Sequence, residues 1–158
     1  VYKLYLGQYD VEKFQTDGIT TSVAFQVEKT IGFLGEPVTT APSTKDASVV
    51  VLLRDKPIVR IIEGCNAVSV MILFAAFIFA FSSGWKKTFL YIVIGIALIH
   101  ILNVVRIVLL TIAIDRYPEQ EHLLHGVIFP LFIYGAVFLL WVLWVQKFSG
   151  YATKRVEK

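Results

Sequence analysis

From residue 67 to residue 145 the chain is almost continuously apolar, with only two short polar breaks, at 83–87 and 115–121. Apolar runs of this length leave a chain few options. A lipid-exposed backbone must satisfy its own hydrogen bonds, so such runs fold as membrane helices. Across the 158 residues 56% are hydrophobic and 17% charged, too apolar a balance for an ordinary soluble domain. The formal charge of +3 is too small to suggest a nucleic-acid partner. The expected partner is the lipid bilayer. The runs predict spans at about 65–83, 88–114 and 123–145. The first is slightly short unless it starts near Gly64, since a bilayer core takes roughly 20 helical residues.

Charge placement orients the spans. The 83–87 turn carries Lys86 and Lys87 and no acid, and the tail from Gln146 carries four cations against one acid. The 115–121 loop carries one cation and three acids. The positive-inside rule puts the first two in the cytoplasm. Residues 1–62 and the 115–121 loop then lie outside, and residues 149–158 form a basic cytoplasmic tail.

Residues 1–62 read as an extracytoplasmic cap. Residues 1–6 suit the tail of an upstream helix. Val23, Val27, Thr30, Ile31 and Leu34 fall at helical spacing and predict an amphipathic helix over 21–34, stopped by Gly35 and Pro37. Residues 39–45, rich in Thr, Ser and Pro, read as a loop. Two β-branched runs, 48–53 and 58–62, flank a charged turn at 54–57 and predict a β-hairpin. The fold class is therefore mainly α: a membrane helical bundle over 63–148 with a small α/β cap. The chain starts at Val1 without a signal-peptide pattern, so an upstream segment is expected to precede it.

The hairpin leads into Glu63-Gly64-Cys65-Asn66, which holds the only cysteine, at the outer end of the first span. A single cysteine excludes an internal disulfide and a multi-cysteine zinc site. Cys65 and two distant histidines lack close ligand spacing, so no metal or cofactor is expected. A lone free cysteine is usually an inert small hydrophobe, so a role for Cys65 needs companions. Arg106 is the first. An arginine within an apolar span costs a few kcal/mol and normally faces a partner or a wet cavity. It lies about 12 Å inside the expected end of its span, at 1.5 Å per residue, a long way to snorkel. His100, Asn103 and Arg106 are spaced three apart and share one helix face, which suggests a polar stripe along an inward cavity.

His122 and His125 flank the start of the third span, on the same outer side as Cys65. His125 is one turn deeper and is the preferred companion, with His122 the alternative. A histidine beside a cysteine takes the thiol proton and later returns it to a leaving amine. A cation such as Arg106 balances the oxyanion between those steps. Glu63 and Asn66 stand close enough in sequence to orient these groups.

Glu-Gly-Cys at 63–65 before an apolar span, Asn-Val-Val-Arg-Ile at 103–107 and a histidine at the head of the next span together resemble the exosortase/archaeosortase family. His-Gly-Val-Ile-Phe-Pro at 125–130, with Ile-Tyr-Gly at 133–135, is most similar to the short F-type exosortases of Bacteroidetes. The resemblance is strong over about 58–148. It implies a multi-pass enzyme of the bacterial cytoplasmic (inner) membrane with its site on the periplasmic side. It implies a cysteine peptidase or transpeptidase whose substrates are exported proteins with a C-terminal sorting tail. It assigns the catalytic roles to Cys65, Arg106 and His125 or His122, and implies one more span upstream. Two other classes remain open at this level. One is a non-catalytic membrane subunit that binds a partner through the cap. The other is a small transporter or proton relay built on His100, Asn103 and Arg106.

Overall fold

A computed structural model describes residues 16–82 and 84–148; the expectations for residues 1–6 and 149–158 lie outside them. Among the described residues the first helix, α1 (Gly18–Phe33), starts earlier than its apolar stripe suggests because Asp17 caps it. The Asp17 Oδ1 accepts from the N–H groups of Ile19 and Thr20, both at 3.0 Å. Its end is a Schellman turn: Gly35 takes a left-handed φ of +87°, and the Glu36 N–H donates back to the Ile31 carbonyl at 3.4 Å. Val23, Val27 and Ile31 form its buried stripe, while Leu34 falls past the helix and is exposed.

Three antiparallel strands follow in a meander: β1 (Val38–Pro42), β2 (Val49–Leu53) and β3 (Lys56–Ile61), in the order β1-β2-β3. The predicted hairpin is β2–β3. Its two-residue turn places Arg54 (φ +52°) and Asp55 (φ +63°) in the left-handed region, as the twist of tight hairpins requires. Arg54 is held there by Glu36 at 2.6 Å and Asp115 at 3.2 Å. Those two carboxylates, Glu36 foremost through its hydrogen bond, raise the guanidinium above its ordinary pKa. The expected loop at 39–45 is corrected in part: Thr39 to Pro42 belong to β1, because Val38 to Pro42 find a complete register opposite Leu53 to Val49. Pro42 ends this edge strand, where a missing N–H is tolerated.

After a tight 3₁₀ turn (Glu63–Cys65) come α2 (Val68–Ala80), α3 (Trp85–Arg116), a 3₁₀ turn (Pro118–Gln120) and a last helix, α4, over 121–148. The helix α3 and the segment Pro118–Lys147 are each long and apolar enough to cross a membrane. The helix α2 has 13 residues and rises only about 20 Å, short of a bilayer core of about 30 Å. It is shorter than the apolar run because Asn66 and Ala67 do not join it; Ala67 sits in the left-handed region at φ +60°.

Three hydrophobic clusters hold these parts together. Val23, Val27 and Ile31 of α1 and Val49, Val51 and Leu53 of β2 close over Val104, Ile107 and Val108 of α3. Phe74 and Ile78 of α2 pack with Ile99 of α3 and with Val137 and Trp144 of α4. A third cluster joins Val59 of β3 to Leu110 and Ile114 of α3. With 32 residues α3 is about 48 Å long, more than a bilayer core needs. Its outer third, meaning the C-terminal end away from the Lys86–Lys87 turn, is the floor on which the helix and sheet pack. Close contact between α2 and α3 relies on Gly95, where an added Cβ would overlap the Phe74 ring.

Candidate active site

Cys65 sits between two asparagines that fix its backbone. The Cys65 N–H donates to the Ile62 carbonyl at 2.8 Å, closing the 3₁₀ turn. The Asn103 Nδ2 donates to the Cys65 carbonyl at 2.7 Å from α3. Asn66 is buried; its Nδ2 donates to the Thr20 hydroxyl of α1 at 3.1 Å, and its Oδ1 accepts from the Val68 N–H at 3.0 Å at the start of α2. The cysteine side chain packs against the cluster formed by α1, β2 and α3. With its N–H, its carbonyl and its neighbour's side chain all bonded, the main chain at Cys65 has little positional freedom.

Cys65 lines a cleft of about 260 Å³ together with Arg106, His125, Pro130 and Tyr134. These residues come from three separate segments: the turn after β3, the outer part of α3, and the head of α4. Arg106 is half-buried, and its Nε is buried with no hydrogen-bond partner among the described residues. The Asn103 Oδ1 is likewise without a partner among them. Burial of an unsatisfied donor is costly, typically about 1–3 kcal/mol, and at the edge of a cleft it favours a ligand that accepts. On either side of Arg106, the cluster residues Val104, Ile107 and Val108 pack under α1 and the sheet.

His125 reaches the cleft from an unusual turn. Residues Leu124–Ile128 form a π-helical segment within α4. The cause is local: Pro130 lacks an N–H, and its ring crowds the carbonyl of Gly126 four residues earlier. Widening the turn relieves the crowding and rotates the preceding side chains relative to a regular helix. His122, three residues earlier, is exposed and does not line the cleft.

The polar stripe of α3 does not face one cavity. His100 Nε2 pairs with Gln26 Oε1 of α1 at 2.8 Å and borders an open groove with Phe25 and Lys29, while Asn103 and Arg106 serve the Cys65 cleft. The side chain of Glu63 lies outside the described residues. Tyr134 is the cleft residue that residue-by-residue reasoning missed. Its spacing of four from Pro130 puts those two on one face of α4, but nine residues from His125 is half a turn away in a regular helix, and only the π-helical segment brings the two into one cleft.

Residues 7–145 match the protein-family model described as Transmembrane exosortase. Comparison with curated proteins and with solved structures gives no significant match.

Proposed function

The chain belongs to the transmembrane exosortase family, and from that premise we propose that it is a cysteine peptidase or transpeptidase acting on exported proteins at their C-terminal sorting tails. Membership supports a membrane-linked sorting or transpeptidase role in general. The finer reading rests on one observation: Cys65, Arg106 and His125 line the same cleft.

The Cys65 S–H proton passes to the His125 imidazole, and the thiolate attacks the scissile carbonyl. The tetrahedral oxyanion forms beside the Arg106 guanidinium, whose unpartnered Nε supplies a donor. The C–N bond breaks, the imidazolium proton goes to the leaving amine, and a thioester remains on Cys65. An acceptor amine or hydroxyl, or water, then attacks the thioester and regenerates the thiol. Asn103 positions the nucleophile through the Cys65 carbonyl and Asn66 through the start of α2. The helix–sheet unit then lies on the periplasmic side of the inner membrane, with α3 and α4 crossing the bilayer and the shorter α2 packed beside them. The motif at 125–130 supports a place among the F-type exosortases of Bacteroidetes.

The test is processing of a co-expressed exported protein with a C-terminal tail. Cys65→Ala, Arg106→Ala and His125→Ala accumulate uncleaved precursor. Loss for Cys65→Ala exceeds about a thousandfold, as removal of a covalent nucleophile does elsewhere. His122→Ala processes normally. Normal processing by Cys65→Ala, with the protein correctly inserted, would end the peptidase reading.

A further inference from the structure

A second cavity, of about 480 Å³, adjoins the cleft and takes no part in the chemistry above. One wall is β3 from Pro57 to Arg60; the other carries Glu121 and His125 of α4. Its size falls within the range of about 300–1,000 Å³ usual for ligand sites. His125 lines both this groove and the Cys65 cleft, so the two meet at its side chain.

The groove lies at the β3 side of the sheet, where Val50 of β2 and Ile114 of α3 also line it. In the order β1-β2-β3 the outer edge of β3 has no strand partner among the described residues. Pro57 offers no N–H and a register irregularity lies beside it, but from Ile58 to Ile61 such an edge presents main-chain N–H and C=O groups, which another extended chain can pair with. Ile61, the last residue of β3, stands four positions before Cys65, so the strand points toward the nucleophile. The strand stays in place because Val59 and Ile61 are buried beneath it. The open side is not a lipid surface: Arg60 and Glu121 put opposite charges on facing walls, and Arg60 is steadied by Asp46 at 3.4 Å. Nor does it suit a partner helix, which needs a broad apolar face.

We propose that this groove is the binding site for the extended segment of the substrate beside its scissile bond, which adds to β3 as a fourth strand. This rests on the peptidase reading of the Cys65 cleft. Main-chain pairing supplies affinity, and side chains at alternate positions meet Arg60 and Glu121, which set the sequence preference.

The experiment is disulfide crosslinking in membranes with the full chain carrying Cys65→Ala, which leaves the tail uncut. The probe is an exported reporter ending in an extended segment, an apolar helix and a basic cluster, with single cysteines moved one residue at a time through the extended segment. Single cysteines on the enzyme are Arg60→Cys and Glu121→Cys for the groove and Tyr134→Cys for the cleft. The first two positions are exposed, so the variants retain the fold. The expected result is crosslinking from both groove positions to every second tail residue, with loss at the residues between. Crosslinking at Tyr134→Cys alone, or groove crosslinks without alternation, overturns strand addition and leaves the peptidase reading standing. No crosslink at any of the three positions removes both.

Discussion

The two walls of the cleft are built on different principles. The Cys65–Arg106 wall rests on a core like that of a soluble protein, where α1, β2 and β3 close over the outer third of α3. The His125 wall is the head of α4, a helix with few buried residues: of the membrane-length window in Pro118–Lys147 only 11% is buried, against 33% in α3. The first wall is fixed by water-driven burial and by a net of side-chain hydrogen bonds around Cys65. The second is held mainly by helix packing among apolar neighbours, where the hydrophobic effect adds little. Cys65 is thus set in a rigid frame, and His125 is brought to it on a more adaptable one.

The strongest way to break this contrast is to loosen the rigid wall without touching substrate. Asn103→Ala removes the bond to the Cys65 carbonyl. We expect turnover to fall by about a hundredfold, the scale of an ångström misplacement, with KM little changed, measured on the processing reporter. An equal rise in KM would mean that Asn103 serves binding instead. Next comes a matched pair of truncations. Val27→Ala, in the α1 core, should cost about 2 kcal/mol, and Val137→Ala, in α4, about half that, by thermal unfolding in detergent micelles. Equal losses would erase the distinction between the walls.

The smallest effect concerns the sheet alone. Hydrogen bonds from Ser43 and Ser48, and then the charge of Arg60, hold the Asp46 carboxyl below its ordinary range. A lowered carboxyl pKa contributes stability that is present above the unfolded value and lost as pH falls through the folded one. Asp46→Asn should therefore flatten the acid limb of a melting-temperature profile and change the neutral value only slightly, since the site is exposed. A steeper acid limb in the variant would contradict this sign.

The apolar runs, the α1 stripe and the β2–β3 hairpin were legible because each is a local periodicity. Strand β1 was not, since Thr39-Thr40-Ala41-Pro42 is turn-like by itself and becomes a strand only opposite β2. The outer third of α3 was hidden for a related reason. Val104, Ile107 and Val108 look the same in sequence whether they face lipid or the underside of a sheet. Cys65, Arg106 and His125 stood out as polar or reactive groups amid apolar sequence. The choice between His122 and His125 turned on depth alone, because residues three apart lie on nearby helix faces. The π-helical turn that separates them had a signal in Pro130, but its effect on side-chain direction is set by three-dimensional geometry.

Trp144 gives α4 the mechanics of a lever. Its ring is fully buried, and its Nε1 donates to the Phe81 carbonyl at the end of α2, at 3.1 Å. That clamp lies 19 residues, or about 28 Å, along the helix from His125. A pivot of about two degrees at the clamp carries the imidazole through about 1 Å at the far end, as much as reacting groups tolerate. Leverage of this kind ties the placement of His125 to a residue about 28 Å away along the helix. Trp144→Phe, which keeps the ring and removes the donor, should slow turnover while leaving the thiol as accessible to an alkylating reagent as before; unchanged turnover would show that α4 is steadied elsewhere.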